Sequence, residues 1–312
     1  MPVSRRTLLA APALLLAWPA RAQPRPLRML VSLGPGSTVD LAARILAEAL
    51  SQRRGQPVLV ENAAGGEGLV AANARLRARP GEAVLYSFGD LVTVPPTTPP
   101  GFDLVAEILP VVGTSANPLV LAAAPQLGVR DLAGLMALAR AQPGALGYYT
   151  SPGGAALGMR ALQREAGVTL IKLPYRSSAA AMVDLTAGRI AMLLAPQGAV
   201  LELAHAGHVV PIATPGPARS PALPAMPTSA EAGFPAFKAE GSQGIFAPRS
   251  MPEAERATLA AQTLEALAEP AVQTRFAAAG VTPRGLGPAA FATYLAETRD
   301  RLAILIREFG PE

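Results

Sequence analysis

The amino-acid sequence predicts an α/β fold in two lobes, with strands and helices alternating along the chain. The length of 312 residues, of which 50% are hydrophobic, is sufficient for two separate cores. Aromatic residues make up only 4%, so aliphatic side chains on helices and strands must fill those cores. Apolar runs of strand length alternate with helical patterns in two successive series, before and after Pro118, as is typical of βαβ units.

The first series predicts a mainly parallel sheet with helices on both faces. Its predicted strands are residues 27–33, 58–62 and 83–88, and its predicted helices are residues 40–52 and 69–79. Gly55 ends the first helix, which carries four apolar residues at helical spacing on one face: Leu41, Ile45, Leu46 and Ala49.

The second series predicts another α/β lobe. Its strands are predicted at residues 119–123, 146–150, 170–173, 190–194 and 209–213, with helices that begin at Asp131 and Ser178 and a third at 199–206. Residues 215–235 are rich in proline, which excludes long regular elements, and we expect this segment to wrap around the second lobe.

The remainder of the chain is predicted to return to the first lobe. A strand is predicted at residues 244–248, followed by helices at 252–268, 270–279 and 288–309. The predicted division is a signal segment at 1–22, a first lobe of 23–120 with 240–312, and a second lobe of 121–239.

The first residues have the order of an export signal. Arg5 and Arg6 precede an apolar run at residues 8–17, and Ala20-Arg21-Ala22 resembles a cleavage site. The apolar run is about half of the ~20 residues that a membrane-spanning helix needs. We therefore expect export to the periplasm with cleavage after about Ala22. Residues 4–9 also suit the twin-arginine route, and both export routes stay open.

Charge and cysteine content exclude several classes of partner. Removing residues 1–22 takes away three arginines and no acidic residue, so the formal charge falls from +5 to +2. The remaining basic residues are scattered, and no nucleic-acid partner is predicted. The sequence contains no cysteine, which leaves no disulfide and no cysteine for a lipid anchor.

Residues for catalysis are few. There is no cysteine nucleophile and no G-x-S-x-G motif, and the two histidines, His205 and His208, lie together near the end of one predicted helix without a carboxylate-rich motif nearby. We predict no catalytic residue, metal site or cofactor, and we expect a binding protein in preference to an enzyme. A secreted hydrolase with a triad assembled between the lobes remains the alternative.

The strongest local signal is the loop of Gly34, Pro35, Gly36, Ser37 and Thr38. It follows a buried strand and opens a helix, so the glycines allow close backbone approach while free amides and the helix dipole favour a carboxylate or phosphate. Ser37 or Thr38 is expected to cap the helix. An ordinary strand-to-helix turn with a capping hydroxyl explains the same pattern.

A similar loop follows a strand of the second lobe. Thr150 and Ser151 lead through Gly153 and Gly154 into a helix. Two such loops, one in each lobe, are expected to face each other across a cleft at the carboxyl ends of the strands. Residues 175–178, Tyr-Arg-Ser-Ser, lie at a third strand end, where Arg176 is either an anion partner or a solvated surface residue.

Several spaced motifs resemble the substrate-binding proteins of tripartite tricarboxylate transporters, also called the Bug family. The similarity runs in order through most of the chain after residue 22. It is carried by residues 30–44, by the run Gly-Gln-Pro-Val-Leu-Val-Glu-Asn at 55–62, by Pro174-Tyr175, by residues 219–233 and by Gly-Ile-Phe-Ala-Pro at 244–248.

This resemblance implies a periplasmic-binding-protein fold of the Venus flytrap type, type II. It implies that a small organic acid binds between the lobes and that membrane permease subunits of a tripartite transporter are partners. Asp40 is expected to organise its loop more than to touch an anion. The implied ligand-binding residues are Gly34, Pro35, Gly36, Ser37, Thr38, Asp40, Phe88, Gly89, Thr150, Ser151, Gly153, Gly154, Ala155, Tyr175, Gln197 and Ser242.

Departures from the family pattern fall mainly in the second lobe. Ser37 replaces a glycine of the first loop, and Ala155-Ala156 lies where polar residues are usual. Ala195-Pro196 replaces an acidic or amide side chain, and Ser242 replaces a tryptophan. A larger or less polar carboxylate is therefore expected as the ligand. A sensor that presents its ligand-bound form to a signalling partner is a further alternative.

Overall fold

The computed structural model describes residues 26–79, 81–93, 104–151, 153–175 and 178–310. The predicted signal segment 1–22 and the pair Arg176 and Ser177 lie outside these residues. The strands are β1 (Leu27–Val31), β2 (Val58–Asn62), β3 (Ala83–Phe88), β4 (Ile108–Asn117), β5 (Leu119–Ala123), β6 (Gly147–Thr150), β7 (Ile171–Lys172), β8 (Met192–Pro196), β9 (Val210–Ala213), β10 (Gly241–Pro248) and β11 (Thr282–Leu286).

The α-helices of the described residues surround two sheets. They are α1 (Thr38–Arg54), α2 (Leu69–Arg77), α3 (Asp90–Thr93), α4 (Leu104–Glu107), α5 (Leu132–Ala141), α6 (Gly154–Ala166), α7 (Ser178–Thr186), α8 (Gln197–His205), α9 (Glu253–Ala268), α10 (Pro270–Ala278) and α11 (Pro288–Phe309). None of them combines the length and the apolar character that a helix needs to cross a bilayer.

The first sheet has six strands in the order β11-β4-β10-β3-β1-β2. β1 is parallel to β2 and β3, whereas β10 is antiparallel to β3 and β4. Successive side chains of β3 point to opposite faces. Val84 and Tyr86 pack under α1, α9 and α10, and Leu85 packs with Phe246 and Phe291 on the other face. Because β1 and β3 are parallel, the loops that follow them emerge at the same sheet edge.

The second sheet has five strands in the order β7-β6-β8-β5-β9. β6 and β8 are parallel neighbours, so their carboxyl ends also share an edge. Side chains of β5 alternate between two cores: Leu121 belongs to the cluster with α5 and α6, and Val120 and Ala122 belong to the cluster with α7 and α8. Helices on both faces of each sheet agree with the predicted α/β architecture.

The chain passes between the sheets twice. β4 ends at Asn117 and β5 begins at Leu119, and the return runs from β9 through residues 214–240 into β10. This return segment has turns and one isolated bridge, between Thr214 and Thr228, and its Phe237 is buried in the second lobe, as predicted for the proline-rich region. The predicted lobe boundary at 120/121 falls inside β5, whose partners within the described ranges are β8 and β9.

The carboxyl-terminal helix α11 contacts both lobes. Near its start, Phe291 is fully buried against the first sheet. Near its end, the guanidinium of Arg160 on α6 lies 4.8 Å from the ring centroid of Phe309, and Arg164 of α6 forms an ion pair with Glu308. The helix therefore joins the first-lobe core to the surface of the second lobe.

Two features of the first lobe differ from the sequence prediction. β4, with β11 as its partner, was not predicted, because Pro110 and Gly113 interrupt the strand pattern. The ladder accommodates Pro110 by a register shift in β10 between Ile245 and Phe246. Leu41 is 39% exposed and does not lie on the buried face of α1. The buried apolar side chains of this turn are those of Val39 and two alanines.

Candidate functional site

Ser37 caps the first helix. Its backbone is extended, with φ −69° and ψ 159°, and its Oγ accepts a hydrogen bond of 3.2 Å from the amide of Asp40. The Ser37 carbonyl accepts from the amide of Leu41 at 2.9 Å. Gly36 has φ +80°, a conformation that favours glycine. The predicted hydroxyl cap is confirmed, and Ser37 provides it.

Two amides at the start of α1 have no hydrogen-bond acceptor among the described residues. The amide of Ser37 donates to the carbonyl of Gly34 at 3.3 Å, and the amide of Asp40 is capped by Ser37. Thr38 and Val39 occupy the first two helical positions, where the helix itself offers no acceptor. Their N–H groups, together with the helix dipole, favour an anion at this loop.

Asp40 holds the loop in place. Its carboxylate accepts from the amide of Gly36 at 2.9 Å, from Nδ2 of Asn62 at 2.8 Å and from Nε of Arg44 at 3.0 Å. Asn62 in turn donates to the carbonyl of Leu33 at 2.9 Å. Burial raises the pKa of Asp40, but the hydrogen bonds from Arg44, Gly36 and Asn62 outweigh it and the pKa is lowered. Asp40 therefore organises the loop as an ionised side chain.

A polar network connects this loop to the strands that lead into the second lobe. Gln243 of β10 is fully buried, and its Nε2 donates to Oδ1 of Asn117 at 3.1 Å and to Oγ1 of Thr38 at 3.4 Å. The hydroxyl of Tyr86 donates to Oε1 of Gln243 at 3.2 Å. Gln243 was not predicted, although it lies directly beside the predicted residue Ser242.

The end of β3 packs closely against β10. The amide of Gly89 donates to the carbonyl of Ser242 at 2.9 Å, and a Cβ at Gly89 would lie 2.2 Å from Ser242 Oγ. A larger residue at this position would require the Ser242 hydroxyl to move. Phe88 is partly buried in the core that contains Leu91. Phe88, Gly89 and Ser242 therefore fix the backbone that presents the next residue, Asp90.

Asp90 joins the second-lobe loop to the end of β3. Its Oδ2 accepts a hydrogen bond of 3.2 Å from the amide of Gly154, the first residue of α6. Gly153 has φ +87°, and a Cβ there would lie 3.0 Å from Asp90 Oδ2. The structure thus brings the second-lobe loop to the edge of the first sheet where β1 and β3 end. Asp90 was not predicted, and its signal in the sequence is its position directly after the predicted pair Phe88-Gly89.

The charge state of Asp90 depends on opposing effects. Burial raises the pKa of its carboxyl. The hydrogen bond from Gly154 and the positive charge of Arg301 lower it, without cancelling the effect of burial. The guanidinium of Arg301 also donates to the carbonyl of Lys238 at 3.1 Å. The pKa of the Asp90 carboxyl is therefore raised, although this group accepts a hydrogen bond from the amide of Gly154.

Other predicted residues of the second lobe have varied surroundings. Ser151 is exposed, Ala155 packs partly into the second-lobe core, and Gln197 is partly buried at the start of α8. Thr150 is fully buried, and neither its Oγ1 nor Oε1 of Gln197 has a hydrogen-bond partner within the described part of the chain.

Tyr175 has its hydroxyl engaged inside the second lobe. It donates to Oδ2 of Asp184 at 2.5 Å, and its ring lies edge-on to Tyr149 with centroids 5.5 Å apart. The hydrogen bond to Asp184 raises the pKa of Tyr175.

His205 and His208 are exposed at the end of α8. Within the described ranges no three metal-ligating side chains come together.

Comparison with known proteins gives one consistent result. The family described as "Tripartite tricarboxylate transporter family receptor" matches residues 42–310. The protein BugT of Bordetella pertussis is 32% identical over 97% of this chain and 93% of its own.

Solved structures agree with this match. The structure of an R. palustris protein with adipate has a TM-score of 0.78 at 26% identity, covering 93% of this chain and 97% of its own. The periplasmic binding protein BugD has a TM-score of 0.76 at 24% identity, covering 92% and 98%, and it supports the fold alone. The predicted two-lobed fold is confirmed. The chain belongs to the receptor family of tripartite tricarboxylate transporters, whose members are periplasmic solute-binding proteins.

Proposed function

We propose that this receptor captures a small organic carboxylate between its lobes and delivers it to the permease subunits of a tripartite transporter. The observation that carries the proposal is the pair of amides at Thr38 and Val39, which have no intrahelical acceptor, beside the hydroxyl of Ser37. Amides and hydroxyls bind a carboxylate without a buried countercharge. The adipate bound to the R. palustris relative is a ligand of this class.

The proposed contacts come from both lobes. The first lobe contributes the loop 34–38, held by Asp40. The second lobe contributes Thr150, Ser151, Gly153, Gly154 and Ala155, together with Gln197 and Tyr175. Phe88, Gly89 and Ser242 shape the wall between them. The proposed lobes are residues 23–120 with 240–312 and residues 121–239, so the crossing strands β4 and β10 lie between the two halves of the site.

The proposed route to the site of action is export. Cleavage after about Ala22 would release the mature receptor into the periplasm, by either the general or the twin-arginine pathway. Mass spectrometry of the protein purified from the periplasm tests this step. A mature chain that starts near residue 23 supports it, and a chain that retains residues 1–22 contradicts it.

A panel of small carboxylates tests the function itself. The mature protein is expected to gain about 2.7 kcal/mol in free energy of unfolding at a ligand concentration of 100 Kd, because the ligand binds only the folded state. Calorimetry is the suitable readout, since the only tryptophan, Trp18, lies in the predicted signal segment. No stabilisation by any member of a broad panel would contradict the proposal. A turnover product would indicate an enzyme.

A proline substitution tests whether backbone amides bind the ligand. Thr38→Pro removes one N–H at the first helical position, where proline is tolerated and where the extended Ser37 suits a following proline. Loss of one charge-assisted hydrogen bond is expected to weaken ligand binding by about 2 kcal/mol, measured by isothermal titration calorimetry. Thr38→Ala is the matched control, because it loses the same hydroxyl contact to Gln243 but keeps the amide. Equal affinities for the two variants would contradict a role for this amide.

A further inference from the structure

Asp90 places an acid of the protein at the helix end that lies opposite the first-lobe loop. α6 has 13 residues, and its N-cap, Gly153, has no side chain to cap it. The first amide of the helix, that of Gly154, donates instead to Asp90 Oδ2 from the other lobe, at 3.2 Å. The two helix ends of the cleft therefore differ. The α1 end has amides available for an anion, and the α6 end already has a carboxylate on it.

The remaining polar atoms at the second-lobe end include acceptors. Oδ2 of Asp90 takes the Gly154 amide, and its Oδ1 accepts no hydrogen bond from the described residues. Thr150 ends β6 and Gln197 follows β8, and these parallel neighbours share a sheet edge. Thr150 Oγ1 and Gln197 Oε1 are buried and lack partners within the described residues. Carboxyl and amide oxygens accept hydrogen bonds, and a hydroxyl can do so as well.

Charged groups near Asp90 weaken the preference of this carboxyl for a hydrogen-bond donor without reversing that preference. Arg301 is the cation that acts on Asp90, and Arg301 is itself influenced by Tyr294 and Glu240. Its guanidinium donates to the carbonyl of Lys238. Burial disfavours the ionised form of Asp90, so a cation or a hydrogen-bond donor of the ligand stabilises this carboxylate. A second carboxylate of the ligand does the opposite, because two unit negative charges about 4 Å apart near a protein surface repel strongly enough to lower affinity more than tenfold.

We infer that Asp90 is a specificity-determining residue that selects a ligand with one carboxylate and a hydrogen-bond donor at its other end. The carboxylate lies at the α1 loop, and an ammonium or hydroxyl group lies at Asp90. A dicarboxylate of the same length is disfavoured, because its second carboxylate meets Asp90. This inference rests on the proposed carboxylate-binding function and names its substrate class.

Matched ligand pairs test the inference by isothermal titration calorimetry. Succinate is compared with 4-aminobutanoate and 4-hydroxybutanoate, and adipate with 6-aminohexanoate and 6-hydroxyhexanoate. The wild-type protein is expected to bind the amino or hydroxy member of at least one set tenfold or more tightly than the dicarboxylate. The amino and hydroxy members distinguish an ammonium ligand from a neutral donor.

Asp90→Asn provides the second test. It keeps an acceptor for Gly154 but removes the charge, so the preference over the dicarboxylate is expected to fall at least tenfold. Asp300→Asn is the control, because it removes the same charge from an exposed side chain of α11 and should leave the preference unchanged. Asp90→Ser is measured in parallel, and a urea melt without ligand confirms that each variant folds.

The outcomes separate the inference from the function on which it rests. The role of Asp90 is overturned if the wild-type protein prefers the dicarboxylate. It is also overturned if Asp90→Asn and Asp90→Ser both keep the preference of the wild type. Carboxylate binding stands in either case. If the protein binds neither the dicarboxylates nor their amino and hydroxy counterparts, nor any member of the broader panel, the proposed function fails and the inference fails with it.

Discussion

Replacing Phe291 by alanine is expected to lower the free energy of unfolding by about 4 kcal/mol, with a decrease in Tm of about 10 °C. The Phe291 side chain is fully buried, and its ring centroid lies 5.5 Å from that of Phe246. It fills a space left by two paired glycines of the first sheet, Gly113 of β4 and Gly244 of β10. Backbone in the middle of a sheet cannot collapse into the cavity, so the cost should lie in the upper range for this substitution.

Urea denaturation followed by far-UV circular dichroism measures this effect. Ile304→Ala is the control on the same helix, because Ile304 is 55% exposed and should change stability by no more than about 0.5 kcal/mol. A loss below about 1 kcal/mol in Phe291→Ala would contradict the packing described for α11.

A double-mutant cycle sharpens the same prediction. A Cβ at Gly113 would lie 2.7 Å from Phe291 Cδ2, so Gly113→Ala alone should destabilise the protein. In the Phe291→Ala background the ring is gone, and the added methyl group fills part of the cavity. The two changes are therefore expected to be non-additive, with a smaller cost for Gly113→Ala in that background.

Replacing Asp40 by asparagine is expected to lower the free energy of unfolding at neutral pH by about 3 kcal/mol. Three donors, from Gly36, Asn62 and Arg44, converge on the two carboxylate oxygens of a side chain that is 2% exposed. An asparagine replaces one of those oxygens with an NH₂ group, which faces donors only. The loop before α1 should loosen as a result, and ligand affinity should fall with it.

The pH dependence gives this prediction a distinct signature. The pKa of Asp40 is lowered in the folded protein, because the hydrogen bonds from its partners outweigh the effect of burial. Its stabilising contribution is then complete above the unfolded pKa of about 3.9 and is lost as the pH falls through the lower folded value. The difference between wild type and Asp40→Asn should be constant from about pH 5 to 7 and shrink below about pH 4.

Glu48→Gln is the matched control for this series. It removes one negative charge from the same helix, but the Glu48 side chain is 56% exposed and its partner is the exposed Arg275. Surface pairs of this kind contribute about 0–1 kcal/mol. A pH-independent difference for Asp40→Asn, or an effect no larger than that of Glu48→Gln, would contradict the role assigned to Asp40.

Local chemistry made much of the fold predictable. α1 was located by a buried strand, a glycine-rich loop, a capping serine and a closing glycine, and the structure places Ser37 and Gly55 in those positions. The long helix α11 was located by its apolar periodicity. β4 was missed because Pro110 and Gly113 break the pattern of a strand. Gly113 is explained by the Phe291 ring and by Leu286, which lie far away in sequence.

The site was predictable only where it depends on neighbouring residues. The role of Asp40 followed from its position in the first turn of a helix. The contact between Asp90 and Gly154 joins residues 64 positions apart, and sequence periodicity carries no information about it. The hydrogen bond from Tyr175 to Asp184 on the following helix likewise has no signal in the sequence.

The contact between α11 and α6 depends on ionic strength. At a rise of about 1.5 Å per residue, its 22 residues extend about 33 Å, from the first-lobe core to α6. Any motion that moves α6 away from the end of this helix must separate Arg164 from Glu308 and Arg160 from Phe309. The Arg164 side chain is 61% exposed, so dissolved salt screens its ion pair. We therefore expect the free energy needed to separate α6 from the end of α11 to fall as the salt concentration rises.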